Sequence, residues 1–419
     1  MKTTTQNNSK NSALDYKEYA EPHVEQLLKH SARTQLESLL QAKLSTSQRQ
    51  KLLVDSFVNA MSLVLSQTQV THIELQSSFD LMYEHAIKSM ALAQLSEELL
   101  TKQYISATGL IMSPINAQHT IKDVYRIKGY VKGIDKALRA KLARKESVTV
   151  LYPACGPFAP LLLPLFTYYK AQGIFNEKQI QVQFVDAHPG AILALEQLVD
   201  DLELSDFVDS ITEQDATEYQ PKGEIDILLL EAMQHGFTRE GQLSIAKHLV
   251  KYLNLEGVMI PQLVSVKGMM VLGETEFNQQ WKRSDYCHSD KLEQSAQADR
   301  VELGELMKID KSSLLNMQEI ELENSVKVVA ANKVVLPTGI ADMSERILAV
   351  YTQINTFEAE GVNQYDSGIT HPRPDMEFYV DAQPRVKEDA HFIATSGETV
   401  QFYYQLSGLP GFLPVKVQE

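Results

Sequence analysis

The spacing of apolar positions divides the chain into three stretches of different period. From about residue 16 to residue 104 the period is helical. Leu53, Phe57, Met61 and Val64 follow at intervals of four, four and three, and Met82, Ala86, Met90 and Ala93 repeat that spacing. Each set occupies one face of a helix. The stretch holds a single proline, Pro22, and no glycine, so a helical domain is expected over residues 15–110. Residues 1–14 are polar, with no large apolar group between Met1 and Leu14, which predicts a disordered tail.

After a break at 109–114 and the basic, helix-compatible segment 121–142, the period changes. Runs 148–154, 180–188 and 224–232 are apolar and rich in β-branched residues, and helix-compatible segments 161–172, 191–202 and 242–253 follow them in turn. Such alternation predicts a parallel, doubly wound sheet, here a Rossmann-like α/β domain over residues 111–262. Residues 258–266 open a further strand. Beyond Pro261 the helical period fades, and β-like runs at 326–336, 346–357, 376–382 and 398–409 are separated by Gly, Pro and Asp. A mostly β domain is expected over residues 263–419.

Composition narrows the class. The chain has 419 residues, 44% hydrophobic and 22% charged, as in ordinary globular proteins of two or three domains. A formal net charge of −15 argues against a nonspecific nucleic-acid binder. Cys155 and Cys287 are the only cysteines, too few for a disulfide framework or a Cys-rich zinc site. His23, His30, His72 and His85 have no ligand-like spacing, so no metal is expected. The first residues lack the apolar core of a signal peptide, and the longest apolar run, near 161–166, is too short to cross a bilayer. The expected location is the cytosol, without a membrane partner.

In an open α/β sheet, ligands bind beyond the carboxyl ends of the strands. Three turns fall there. The first, Tyr152-Pro153-Ala154-Cys155-Gly156-Pro157-Phe158, has small residues that let the main chain approach a ligand, though it also suits a tight strand–helix turn. Asp186 ends the second strand, where a carboxylate can accept from ribose hydroxyls or act as a turn acid. Asp215 stands before the third strand, either near an adenine edge or as a surface loop acid. There is no GxxxxGK[ST] loop and no GxGxxG turn, which favours S-adenosylmethionine over a cofactor with a pyrophosphate.

Four elements resemble the protein arginine methyltransferases. Asp123-Val124-Tyr125-Arg126-Ile127-Lys128-Gly129-Tyr130 is similar to that family's D-x-x-R-x-x-x-Y helix, and the nucleotide turn with Asp186 is the second element. Residues 225–231 resemble the strand that delivers the first glutamate of the family's double-E hairpin; Glu240 follows Glu231 by nine residues, as the second glutamate does in much of the family. Ser367-Gly368-Ile369-Thr370-His371-Pro372 resembles the Thr-His-Trp loop. The resemblance covers about residues 115–419 and implies that the mostly β domain over 263–419 is barrel-like. It departs at Tyr152, where an acid is common, at Ala154 and Phe158, where glycines are, and at Pro372, where tryptophan is.

The resemblance implies S-adenosylmethionine as cofactor, with Arg126, Tyr130, Cys155, Gly156, Asp186, Asp215 and Glu231 around it. Arg126 would hold the carboxylate of its methionine part through a guanidinium fork. It further implies that Glu231 and Glu240 hold a guanidino-type nitrogen by bidentate hydrogen bonds, leaving one nitrogen free to attack. His371 would bond an acid or accept a proton, and His235 would contact the acceptor. Plainer readings stand beside these: Glu240 as a solvated acid at a helix N-terminus, His371 as a loop pin, Cys155 as a small turn residue and Trp281 as packing. Three functions follow. They are an arginine-type N-methyltransferase acting on a protein, peptide or small guanidino compound, a methyltransferase with a different small-molecule or peptide acceptor, and a noncatalytic scaffold. The helical region could serve a homodimer interface or cover the substrate, although amphipathic helices more often bury a core.

Overall fold

The computed structural model describes residue 33 and residues 44–66, 70–278 and 299–417. The expected tail at 1–14, and also His23, His30, Trp281 and Cys287, lie outside the described residues. The chain divides into two compact units, residues 1–52 and residues 53–419. The described part of the first carries the opening turns of helix α1 (Thr46–Val64).

In the second unit α1 buries Leu53, Phe57, Met61 and Val64, the face that the spacing predicts. Helix α2 (His72–Leu92) buries Leu75, Phe79, Met82, Ala86 and Met90. Both faces join the main hydrophobic core. A capping box starts α2: Glu74 N donates to Thr71 Oγ1 at 3.3 Å and Thr71 N donates to Glu74 Oε2 at 2.9 Å. After α3 (Glu97–Thr101), the break at 109–114 is a small antiparallel hairpin, β1 (Tyr104–Ile105) with β2 (Leu110–Ile111), followed by α4 (Pro114–Ala117) and α5 (Val124–Leu142).

The parallel sheet contains β3 (Val148–Pro153), β4 (Ile180–Asp186), β5 (Val208–Glu213), β6 (Ile225–Leu229) and β7 (Leu253–Ile260), in the order β5-β4-β3-β6-β7. All four pairings are parallel. Helices α6 (Leu163–Gln172), α7 (Pro189–Asp201) and α8 (Gln242–Leu249) connect them. The hydrophobic pattern misses β5 because this edge strand is half exposed and its sequence, Val-Asp-Ser-Ile-Thr-Glu, has no apolar run.

The strand expected to open at 258 is two strands. Pro261 has no N–H to continue a ladder, so β7 ends the parallel sheet and β8 (Leu263–Leu272) begins another. Beyond it come α9 (Gly273–Glu276), β9 (Val301–Ile309), α10 (Lys311–Asn316), β10 (Glu319–Glu321), β11 (Lys327–Val335), β12 (Arg346–Phe357), β13 (Glu360–Val362), β14 (Arg373–Asp375), β15 (Phe378–Val380), β16 (Phe392–Ala394), β17 (Thr399–Gln405) and β18 (Gly411–Lys416). Strands β13-β12-β8-β9, with β14 on β12, form one antiparallel sheet, and β10-β11-β17-β18 form another. Where a barrel-like arrangement is expected, the ladders among the described residues are those of two separate sheets and a parallel pair, β15 with β16.

Two glycines seat α5 against this region. A Cβ on Gly129 would fall 2.3 Å from Gly361 O, and one on Gly133 would fall 2.4 Å from Thr356 Oγ1. Thr356 Oγ1 donates to Gly129 O at 2.8 Å. This contact fixes the helix that carries Arg126. Among the described residues no helix is long and apolar enough to cross a membrane.

Candidate active site at the carboxyl end of the parallel sheet

A cavity of about 560 Å³ opens beyond the carboxyl ends of β3, β4 and β6. It gathers Arg126, Cys155, Gly156, Asp186, Asp215, Glu231 and Glu240. Tyr130 and His371 are not among its lining residues.

At one end lies the turn after β3. Gly156 takes φ +65°, and a Cβ built there would meet nothing nearer than Ala117 Cβ at 3.9 Å. The main chain therefore faces open space at this point. Gly156 N donates to Asp186 Oδ2 at 2.8 Å and His188 N to Oδ1 at 2.9 Å. Burial pushes the Asp186 carboxyl up, against the pull of these two N–H groups. Asp215 is held locally, accepting from Thr217 N at 2.8 Å and Thr217 Oγ1 at 2.7 Å. Burial, then the Asp186 charge, push the Cys155 thiol well up, which keeps it protonated and fits a packed turn residue.

The opposite end carries the charges. Asp123 caps α5 and its Oδ2 lies 3.0 Å from Arg126 Nη2. Arg126 Nη1 reaches both Glu231 oxygens at 3.4 Å. Burial opposes the Arg126 charge, but Glu231 and Asp123 outweigh it and keep the guanidinium ionised. Burial pushes Glu231 up against the pull of Arg126. Glu240 is half buried rather than a solvated helix-end acid. Burial and then the neighbouring Glu231 charge push its carboxyl up to about 7.

The loop between the two glutamates is tightly folded. Gln234 and Thr238 form an antiparallel bridge around Gly236 and Phe237, which both take positive φ. Gln242 closes its base: Ala232 N donates to Gln242 Oε1 at 2.8 Å and Gln242 N to Ala232 O at 3.2 Å. Tyr404 on β17 donates to Phe237 O at 2.9 Å. Leu110 N donates to Arg239 O at 2.8 Å, and a Cβ on Gly109 would fall 2.5 Å from Gly241 N. The β1–β2 hairpin thus packs directly on this loop.

His371 stands T-shaped to Tyr365, with ring centroids 4.7 Å apart. Burial, then His235 and Arg300, lower its pKa to about 4. It stands beside Arg300 and His235, with no carboxylate bonded to it among the described residues. Tyr130 is fully buried and its hydroxyl has no hydrogen-bond partner among the described residues.

The sequence reading missed three contributors. Ser367 Oγ donates to Asp123 Oδ2 at 2.6 Å and accepts from Arg126 Nε at 3.3 Å. It ties the 367–371 loop to the Asp123–Arg126 pair. Tyr104 donates to Ala187 O at 3.3 Å beside Asp186. His188 accepts from Gly190 N at 3.0 Å through Nδ1, so its Nε2 donates to Lys102 O at 2.8 Å and anchors the segment that leads into β1. No pattern within one element signals these long-range pairs.

No protein family matches the sequence, and no curated protein matches it. Among solved structures the chain is similar to the Trypanosoma brucei PRMT1 enzyme-prozyme heterotetrameric complex with AdoHcy, at 15% identity over 71% of this chain and 96% of that one, with a TM-score of 0.38. It is also similar to Arabidopsis thaliana protein arginine methyltransferase 10 in an open conformation, at 11% identity over 70% of this chain and 94% of that one, with a TM-score of 0.37.

Proposed function

We propose that the chain is an S-adenosylmethionine-dependent N-methyltransferase whose acceptor is a guanidino-type nitrogen held by Glu231 and Glu240. The observation that carries this reading is the pair of carboxylates on one loop facing one cavity, with Glu240 pushed up to about 7 by burial and by Glu231. Two acids crowded in this way resist ionising together. An incoming cation relieves that repulsion.

The donor set at the far end fits the cofactor. Each Asp186 oxygen accepts one backbone N–H and keeps a second lone pair for a ribose hydroxyl. The open space at Gly156 admits a ligand against the main chain. When bound, the cofactor's sulfonium supplies an activated methyl group. Arg126 holds Glu231 in place and lends its charge to the cofactor's carboxylate.

Glu231 and Glu240 then accept N–H bonds from the guanidinium and localise its charge on the bonded nitrogens. The remaining nitrogen would keep the freer lone pair for attack. Glu240, with its carboxyl pushed up to about 7, would take the proton that the nitrogen sheds on accepting the methyl group. The test has two parts. Calorimetry with S-adenosylmethionine should show binding; a folded sample without it would leave the scaffold reading. Glu231→Gln should abolish methyl transfer, and full activity of that variant would remove the guanidinium mechanism in favour of a different acceptor.

A further inference from the structure

The rim around the two glutamates is basic. His235 lines the cavity and feels the charges of Arg373 and Arg239. A Cβ built on Gly236 would lie 3.2 Å from Arg373 Cβ and 3.5 Å from its Cδ, so the Arg373 stem lies against the turn of the double-glutamate loop. Arg373 itself starts β14 and is paired across from Val350. Arg239 is fixed by its backbone, its N–H donating to Pro410 O at 2.8 Å and its carbonyl accepting from Leu110 N at 2.8 Å. Leu110 lines the cavity. Both guanidinium groups are exposed, and neither has an ion-pair partner among the described residues. Arg126, in contrast, is shared between Asp123 and Glu231. Burial, then the charges of Arg373 and Arg239, lower the His235 pKa; the two arginines themselves stand outside the residues that line the cavity. In a chain of net charge −15, two arginines on and against the double-glutamate loop, without ion pairs among the described residues, oppose the general sign of the surface.

We infer that Arg239 and Arg373 form an anion-binding rim, and that the acceptor is a small guanidino compound carrying its own carboxylate. This rests on the guanidinium reading above. The inner glutamates take the guanidinium end, and the outer arginines, whose planar forks match a carboxylate, take the other. A basic peptide tract would set its flanking cations against Arg239 and Arg373. It is therefore disfavoured by the same charges.

Three probes separate the two ends: L-arginine, agmatine, which lacks only the carboxylate, and L-norvaline, which lacks the guanidinium. In calorimetric titrations of the full chain, arginine should bind more tightly than agmatine by roughly fivefold to tenfold, the effect of two solvent-facing ion pairs. Arg373→Gln should reduce that ratio towards one, Arg373→Lys should keep part of it, and Arg239→Gln with Arg373→Gln should erase it. Melting curves establish that each variant is folded. Equal binding of arginine and agmatine, a ratio that survives the double substitution, or no binding of any probe would each overturn the rim. Norvaline binding as tightly as arginine would sink the guanidinium reading instead, while the rim would still stand on its arginine-to-agmatine ratio.

Discussion

The two ends of the cavity satisfy their charges in opposite ways. At the Asp186 end each acid is held by nearby backbone or hydroxyl donors: Gly156 and His188 for Asp186, Thr217 for Asp215. At the Glu231 end Glu231 and Asp123 share a single guanidinium, that of Arg126, and Glu240, which has no ion pair among the described residues, rises to about 7. The first end is complete in itself and gains little from another ion. The second keeps an electrostatic cost that an added cation would remove. A site that binds a neutral ribose and one that captures a cation would be expected to differ in this way.

The largest expected effect comes from changing the frustrated end alone. Glu231→Gln should lower kcat by about 10²–10⁴-fold, the usual range for a lost proton-handling or charge-stabilising group, while S-adenosylmethionine binding persists in calorimetry. Loss of both together would erase the distinction between the ends. Next is the seating of α5. Gly129→Ala forces a Cβ against Gly361 O and should cost about 1–3 kcal/mol in chemical denaturation, together with activity, because Arg126 rides on that helix. Ser367→Ala removes the hydroxyl shared by Asp123 and Arg126. It should lower activity by roughly tenfold, in line with loss of a charge-assisted hydrogen bond, and leave the fold intact.

The smallest effect concerns stability and runs against activity. The folded-state pKa of Glu240 lies above its ordinary value. The native state therefore holds this proton more tightly, and stability falls as pH rises from about 4.5 through about 7. Glu240→Gln should raise the melting temperature at pH 8, leave it nearly unchanged at pH 4, and remove methyl transfer at both. A lower melting temperature at pH 8 would mean that the carboxylate is stabilised rather than strained.

Much of the scaffold was legible in the sequence because it is periodic. The faces of α1 and α2 follow from intervals of three and four, since those residues meet on one side of a helix and bury together. Asp186 could be placed because a strand with a continuous apolar run ends on it. The pairing of Glu231 with Glu240 came from the spacing of a family resemblance, because no period within a loop brings its two ends together. Elements that rest on distant partners stayed hidden. Ser367 meets Asp123 across 244 residues, β5 lacks an apolar run, and the β1–β2 hairpin owes its place to contact with the double-glutamate loop. His371 is another such case: the resemblance to a Thr-His-Trp loop singles it out, while its neighbours Tyr365, His235 and Arg300 come from distant parts of the chain or from no pattern in that loop.

The most direct test incubates the protein with methyl-labelled S-adenosylmethionine and L-arginine and locates the label by mass spectrometry, in wild type and in Glu231→Gln. Label is expected on a guanidino nitrogen in the wild type and none above background in the variant. Equal labelling by both proteins, or label on the α-amino nitrogen instead, would contradict the guanidinium reading.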